Sequence, residues 1–149
     1  MLDVEVFGAE LAPGAPPPHG GDERPPTVPE APSLAETRRL CALAAAAVGI
    51  EDGHLAIEYV DQSRIARLNA EHRGKDGPTD VLSFPIDGAV RPDDGVEREL
   101  GDVVICPAHT SDLREAIVHG VLHLVGFDHE TDDGEMLALQ AELLAGESQ

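Results

Sequence analysis

Three histidines carry the clearest chemical signal in this sequence, in the run His119-Gly-Val-Leu-His123-Leu-Val-Gly126-Phe-Asp-His129. Residues four apart share one face of a helix, with Cβ atoms about 5–6 Å apart, so His119 and His123 can aim at one point. Gly126 can take the left-handed backbone that ends a helix, and the chain can then turn back and deliver His129. Three neutral imidazoles at about 2.0–2.1 Å suit a single zinc ion, Zn2+, and leave a fourth position open, as catalytic sites do. Copper, nickel and iron are also compatible with such ligands, and magnesium much less so.

The surroundings of these residues favour a metal. From Ala116 to Phe127 there is no Lys, Arg, Asp or Glu. Burying two histidines there without partners would cost about 1–3 kcal/mol for each unsatisfied polar group. The spacing equals that of the metzincin peptidases, which place a Glu directly after the first histidine. Here that position is Gly120. A peptidase reading therefore lacks its carboxylate base, and reactions that rest on metal-activated water and charge stabilisation gain weight. Asp128 is a supporting group or a turn residue. His109 is expected at the surface near a helix start. His19, His54 and His72 have no evident partner.

Several elements must position these groups. Leu2 to Phe7 alternates apolar and acidic residues, as a half-buried strand does. Residues 12–32 hold most of the twelve prolines and read as a long loop or insertion. Ser33 followed by Glu36 forms a capping box, which predicts a helix to about Val48 with a stop at Gly49. Leu55 to Val60 reads as a strand, Gln62 to Glu71 as a helix, and Val81 to Phe84 as a strand ending at Pro85. Residues 86–99 are acidic and turn-rich. Gly101 to Cys106 suits a strand buried on both faces. A helix from about Asp112 to Val125 and a last helix, its start delayed by Gly134, running to about Leu144 complete the chain. Strands and helices without a clean βαβ rhythm predict an α+β fold: a small mixed β-sheet packed by helices, one of them a buried metal-binding helix.

Length and composition bound the rest. A chain of 149 residues fits one domain with one core. No apolar run reaches the roughly 18 residues of a membrane helix, and the acidic N-terminus lacks a secretory pattern, so a cytoplasmic protein is expected. Cys41 and Cys106 are expected to be buried thiols. The net charge of −19 argues against broad adhesion to nucleic acid or anionic membrane but permits a local basic site. Arg64, Arg67, Arg73 and Lys75 cluster in one segment.

That segment belongs to a second block. Leu68-Asn69 is followed by Arg73-Gly74-Lys75-Asp76 and by Thr79-Asp80-Val81-Leu82-Ser83-Phe84-Pro85. A third block runs from Gly101 through Asp102 to Cys106. With the histidine run, these closely resemble the YbeY family of bacterial single-strand-specific endoribonucleases and rRNA maturation factors, over about residues 55–145. The resemblance implies an α+β fold, zinc at His119, His123 and His129, and an essential arginine at Arg73. On the residues alone Arg73 would pass for a solvated loop arginine. A guanidinium opposite a metal can hold a phosphate through two hydrogen bonds and neutralise developing charge.

The resulting expectation is a zinc-dependent endoribonuclease that cuts single-stranded RNA in rRNA maturation and ribosome quality control. Water activated by the metal, or an RNA 2′-hydroxyl, attacks phosphorus while Arg73 stabilises the charge. Arg64, Arg67 and Lys75 guide the strand, and ribosomal RNA, the ribosome or its assembly proteins are the implied partners. Thr79, Asp80 and Ser83 read as a structural turn and strand edge. Two departures from the family are visible: the proline-rich insertion, and a connection of only twelve residues, Pro107 to Val118, where family members carry a further helix. The rivals are a non-catalytic, zinc-stabilised ribosome-assembly factor, a metallopeptidase, and a metal-free α+β domain.

Overall fold

The computed structural model describes residues 2–13, 28–87, 97–127 and 134–147. Four strands, β1 (Leu2–Phe7), β2 (Gly53–Tyr59), β3 (Val81–Pro85) and β4 (Glu99–Ile105), form one sheet in the order β1-β2-β4-β3. β1, β2 and β4 are parallel, and β3 runs antiparallel along β4 at the sheet edge. The helices are α1 (Leu34–Ala46), α2 (Gln62–Arg73), α3 (Leu113–Leu124) and α4 (Glu135–Glu147). The predicted α+β fold with a small mixed sheet is therefore the one adopted.

Side-chain period decides which face each strand buries. Leu55, Ile57 and Tyr59 of β2 join Leu2 and Val4 of β1 and Val103 and Ile105 of β4 in the main core. Helices α1, α3 and α4 cover that face. Val104 of β4 and Leu82 of β3 point the other way, onto Ile65 and Leu68 of α2, in a smaller cluster. Helix α1 starts where the capping box predicts: the Ser33 side chain accepts the Glu36 N–H at 3.1 Å. Its buried stripe, Thr37, Leu40, Cys41, Ala44 and Ala45, follows the helical period. Small alanines there allow α1 to approach α3 closely. Burial pushes the Cys41 thiol up to about 12 and raises that of Cys106, so both free cysteines are inert packing residues, as expected.

Several boundaries differ from the sequence reading. Helix α1 ends at Ala46, three residues before Gly49, and Ile50 N–H closes the turn onto the Ala45 carbonyl. Strand β4 begins at Glu99 rather than Gly101, because Glu99 pairs with His54 before a register shift in which Gly101 takes up Leu55. Helix α2 runs two residues further than predicted and ends at Arg73. Most of the proline-rich insertion, 14–27, lies outside the described residues. Its ends are tied together, with Pro13 and Glu30 forming an isolated bridge and Ala31 N–H donating to the Ala12 carbonyl. The connection from Pro107 to α3 holds a single 3-10 turn, Pro107–His109. Among the described residues, no helix is long and apolar enough to cross a membrane.

Candidate metal centre

Helix α3 runs under the sheet, and its sequence explains the placement. Leu113, Ala116, Ile117, Val118, Gly120, Val121, Leu122 and Leu124 are all buried, while His119 and His123 are only half-buried. From Ala116 onward the two histidines are the polar interruptions of an apolar run, and they face its partly open side. Asp112 caps the helix, accepting from the N–H groups of Arg114 and Glu115. Gly120 sits on the opposite demand: a Cβ there would lie 2.4 Å from Val103 Cγ1 in the core. No side chain fits at the position where a metzincin places its glutamate. The glycine is a packing residue, and its carbonyl accepts from Ser83 Oγ at 2.9 Å, tying α3 to the edge strand.

The imidazoles are held in matching states. His123 Nδ1 lies 2.9 Å from the carbonyl of Phe127. A carbonyl can only accept, so Nδ1 carries the proton and Nε2 of the neutral ring presents a lone pair. The turn that supplies this carbonyl depends on Gly126, whose φ of 107° lets Phe127 N–H return to Leu122. His119 Nδ1 likewise donates to Gln140 Oε1 of α4 at 2.8 Å. The two Nε2 atoms then face each other at 3.1 Å. At that distance the two nitrogens need a cation between them, either a proton shared in an N–H···N hydrogen bond or a metal ion. Ligands at about 2.0–2.1 Å on a tetrahedral ion stand roughly 3.3 Å apart, so the pair fits a zinc-type ion. The third predicted ligand, His129, and Asp128 beside it lie outside the described residues. Among the described residues, no cluster of three or more metal-ligating side chains is assembled.

Arg73 reaches the same place from the other side. Asp61 caps α2, and Gly74, at φ 65°, stops the helix directly after Arg73. The loop that follows is pinned by Asn69 Nδ2, which donates to the Gly77 carbonyl at 2.9 Å. Strand β3 then runs between the end of α2 and the middle of α3. A cleft of about 560 Å³ results, lined by Arg73, His119 and His123 and floored by Val81 to Pro85. The arginine and the two described histidines, 46 and 50 positions apart in sequence, thus share one cavity. Arg64, Arg67 and Lys75 are exposed but do not line it. Asp80 and Thr79 sit in its wall. Asp80 Oδ1 accepts from Val81 N–H and Thr79 Oγ1, which is the turn role expected of them.

A model of the family described as "Endoribonuclease YbeY" matches residues 26–147. The chain belongs to this family. The "Endoribonuclease YbeY" of Azorhizobium caulinodans is 40% identical over 136 residues, covering 80% of this chain and 83% of that protein. That of Bifidobacterium longum subsp. infantis is 43% identical over 107 residues, and the chain spans only 58% of its length. The solution structure of TM1509 from Thermotoga maritima aligns over 95% of this chain and 86% of that chain, with 24% identity and a TM-score of 0.48.

Some features of this YbeY-family chain escaped the sequence reading. Gln140, one of the few buried polar residues, was not singled out, although it interrupts the apolar inner face of α4 set by Met136, Leu139 and Leu143. His72 lines the cleft and meets the Phe84 ring edge-on, with centroids 4.9 Å apart. His54 has two partners rather than none. Its Nδ1 lies 2.5 Å from Glu99 and its Nε2 2.7 Å from Glu5, joining three strands without lining the cleft. His109 is exposed, as expected, and its ring pairs with Gln62. Beside the shortened connection, a second hollow of about 200 Å³ shares Asp80, Val81 and His119 with the main cleft.

Proposed function

We propose that this protein is a zinc-dependent endoribonuclease that cuts single-stranded RNA, with His119, His123 and His129 as the metal ligands and Arg73 as the catalytic arginine. One observation carries the reading: two Nε2 lone pairs converge at 3.1 Å, with both Nδ1 atoms committed elsewhere, in the cleft that Arg73 enters. The relatives are named endoribonucleases. We assign the activity to rRNA maturation and ribosome quality control in the cytoplasm, with ribosomal RNA as substrate and the ribosome or its assembly proteins as partners.

The protein's own residues have distinct tasks in such a reaction. His119, His123 and His129 would hold an ion that, when bound, would supply Lewis-acid stabilisation for a phosphoryl oxygen. Phe127 and Gln140 hold the two imidazoles in the protonation state that a metal needs. Arg73 offers a planar fork that grips a phosphate through two N–H donors and offsets charge as it grows in the transition state. The β3 floor sets the distance between these groups. The narrow contact of Gly120 with Val103 leaves no room for a glutamate at position 120, where a peptidase of this spacing carries its base, which weighs against the peptidase reading.

Purified protein separates the readings. It should cleave single-stranded RNA and leave a peptide library intact, and chelator or His123→Ala should abolish the RNA cleavage. Chelator-sensitive peptide cleavage without RNA cleavage would make it a peptidase. RNA binding without cleavage would make it an assembly factor.

A further inference from the structure

Gln140 contributes more than packing. Gln140 is 7% exposed and comes from α4, an element that carries no histidine of the cleft. Its Oε1 accepts the His119 Nδ1 proton at 2.8 Å, while the other end of that ring faces His123. A neutral imidazole has one proton to place. An acceptor fixed at Nδ1 keeps that proton there, leaves Nε2 as a lone pair and sets the angle of the ring. His123 obtains the same service from the backbone of its own turn. His119 does not, and depends on a side chain 21 residues away. Helix α4 is docked by Met136, fully buried beside it, and by Leu139 and Leu143 against the core, so the amide is delivered by a packed element.

We propose that Gln140 is the positioning residue of the metal centre: by accepting the Nδ1 proton of His119 it locks that ligand in its metal-binding tautomer. The inference rests on the metal reading above. It also gives α4 a defined part in the site.

The test compares zinc affinity of the full chain, by competition with a fluorescent chelator, for wild type, Gln140→Leu and Gln140→Glu. Gln140→Leu keeps the volume and removes the acceptor, and should bind zinc about 10–100-fold more weakly. Gln140→Glu restores an acceptor and should bind at least as tightly as wild type. Far-UV circular dichroism of the metal-free proteins should be the same for all three. Long-range proton–nitrogen spectra of metal-free wild type, with His119→Gln to assign the ring, should show His119 protonated at Nδ1. That measurement decides the matter even if Gln140→Leu fails to fold, since a proton on Nε2 overturns the proposal. Zinc binding by Gln140→Leu within about threefold of wild type overturns it as well. A wild type that takes up no zinc sinks the metal reading and this inference together. Equal affinity in wild type and Gln140→Leu sinks this inference alone.

Discussion

Arg73 is the residue whose role changes most between sequence and fold. In sequence it precedes Gly74 and looks like the start of a solvated loop. In the structure it closes helix α2 and faces the histidines across β3. Its side chain is exposed and supports no core, so its loss should touch chemistry and not stability. Arg73→Ala should retain its metal and its melting temperature yet lose about 100- to 1,000-fold in the rate of single-stranded RNA cleavage. Arg73→Lys should recover only part, because an ammonium cannot offer the bidentate fork. Full activity in Arg73→Ala would remove the residue from the mechanism. His54 makes a contrasting prediction. The Glu99 hydrogen bond, together with Glu5, raises its pKa, with partial burial opposing. A raised folded-state value means that the stabilisation is fully present below the ordinary histidine pKa, about 6.5, and is lost as pH rises through the folded value. The melting-temperature gap between wild type and His54→Gln should therefore be widest near pH 6 and narrow toward about pH 9. A gap that grows with pH would sink this account.

Helix α3 shows how one element serves packing and chemistry at once. Glycine in mid-helix usually costs about 1 kcal/mol relative to alanine. At Gly120 the sign should reverse, because a Cβ would meet Val103 Cγ1 at 2.4 Å in a filled core. Gly120→Ala should lower stability by about 1–3 kcal/mol in denaturant titrations. Val103→Ala opens space at that contact, so the double variant should lose less than the sum of the singles. Additive losses would show that the contact does not set the glycine. The helix boundaries tell a related story. Capping chemistry is local, and Ser33, Asp61 and Asp112 each accept from the first turn of the helix they begin. The C-terminal stops are local too: Gly49, at φ 80°, lets its own N–H reach the Ala46 carbonyl and the Ile50 N–H reach Ala45, which is the glycine stop read in the sequence.

At the scale of the whole molecule, a chain with a net charge of −19 has to bind a polyanion through a small local field. On the proposed reading, the cleft would supply that field with Arg73 and a bound divalent ion rather than with a broad basic face. If the ion binds only the folded chain, it should also stabilise it. Zinc at a hundredfold excess over its dissociation constant adds about 2.7 kcal/mol, which for a chain of this size raises the melting temperature by roughly 5–10 °C. Stripping the metal with chelator should reverse the shift, and an unchanged melting temperature would argue against the site. The sequence by itself determined the histidine spacing, the helix that carries it, the absence of a peptidase base and the family, because each is written in local period or in residue type. Only the tertiary structure decided that Arg73 and the histidines share a cleft, that Gly120 is a packing necessity, that Gln140 holds His119, and that His54 clasps three strands. Those facts depend on residues brought together from distant parts of the chain by the order β1-β2-β4-β3, and strand order is a property of the packed core that no segment carries alone.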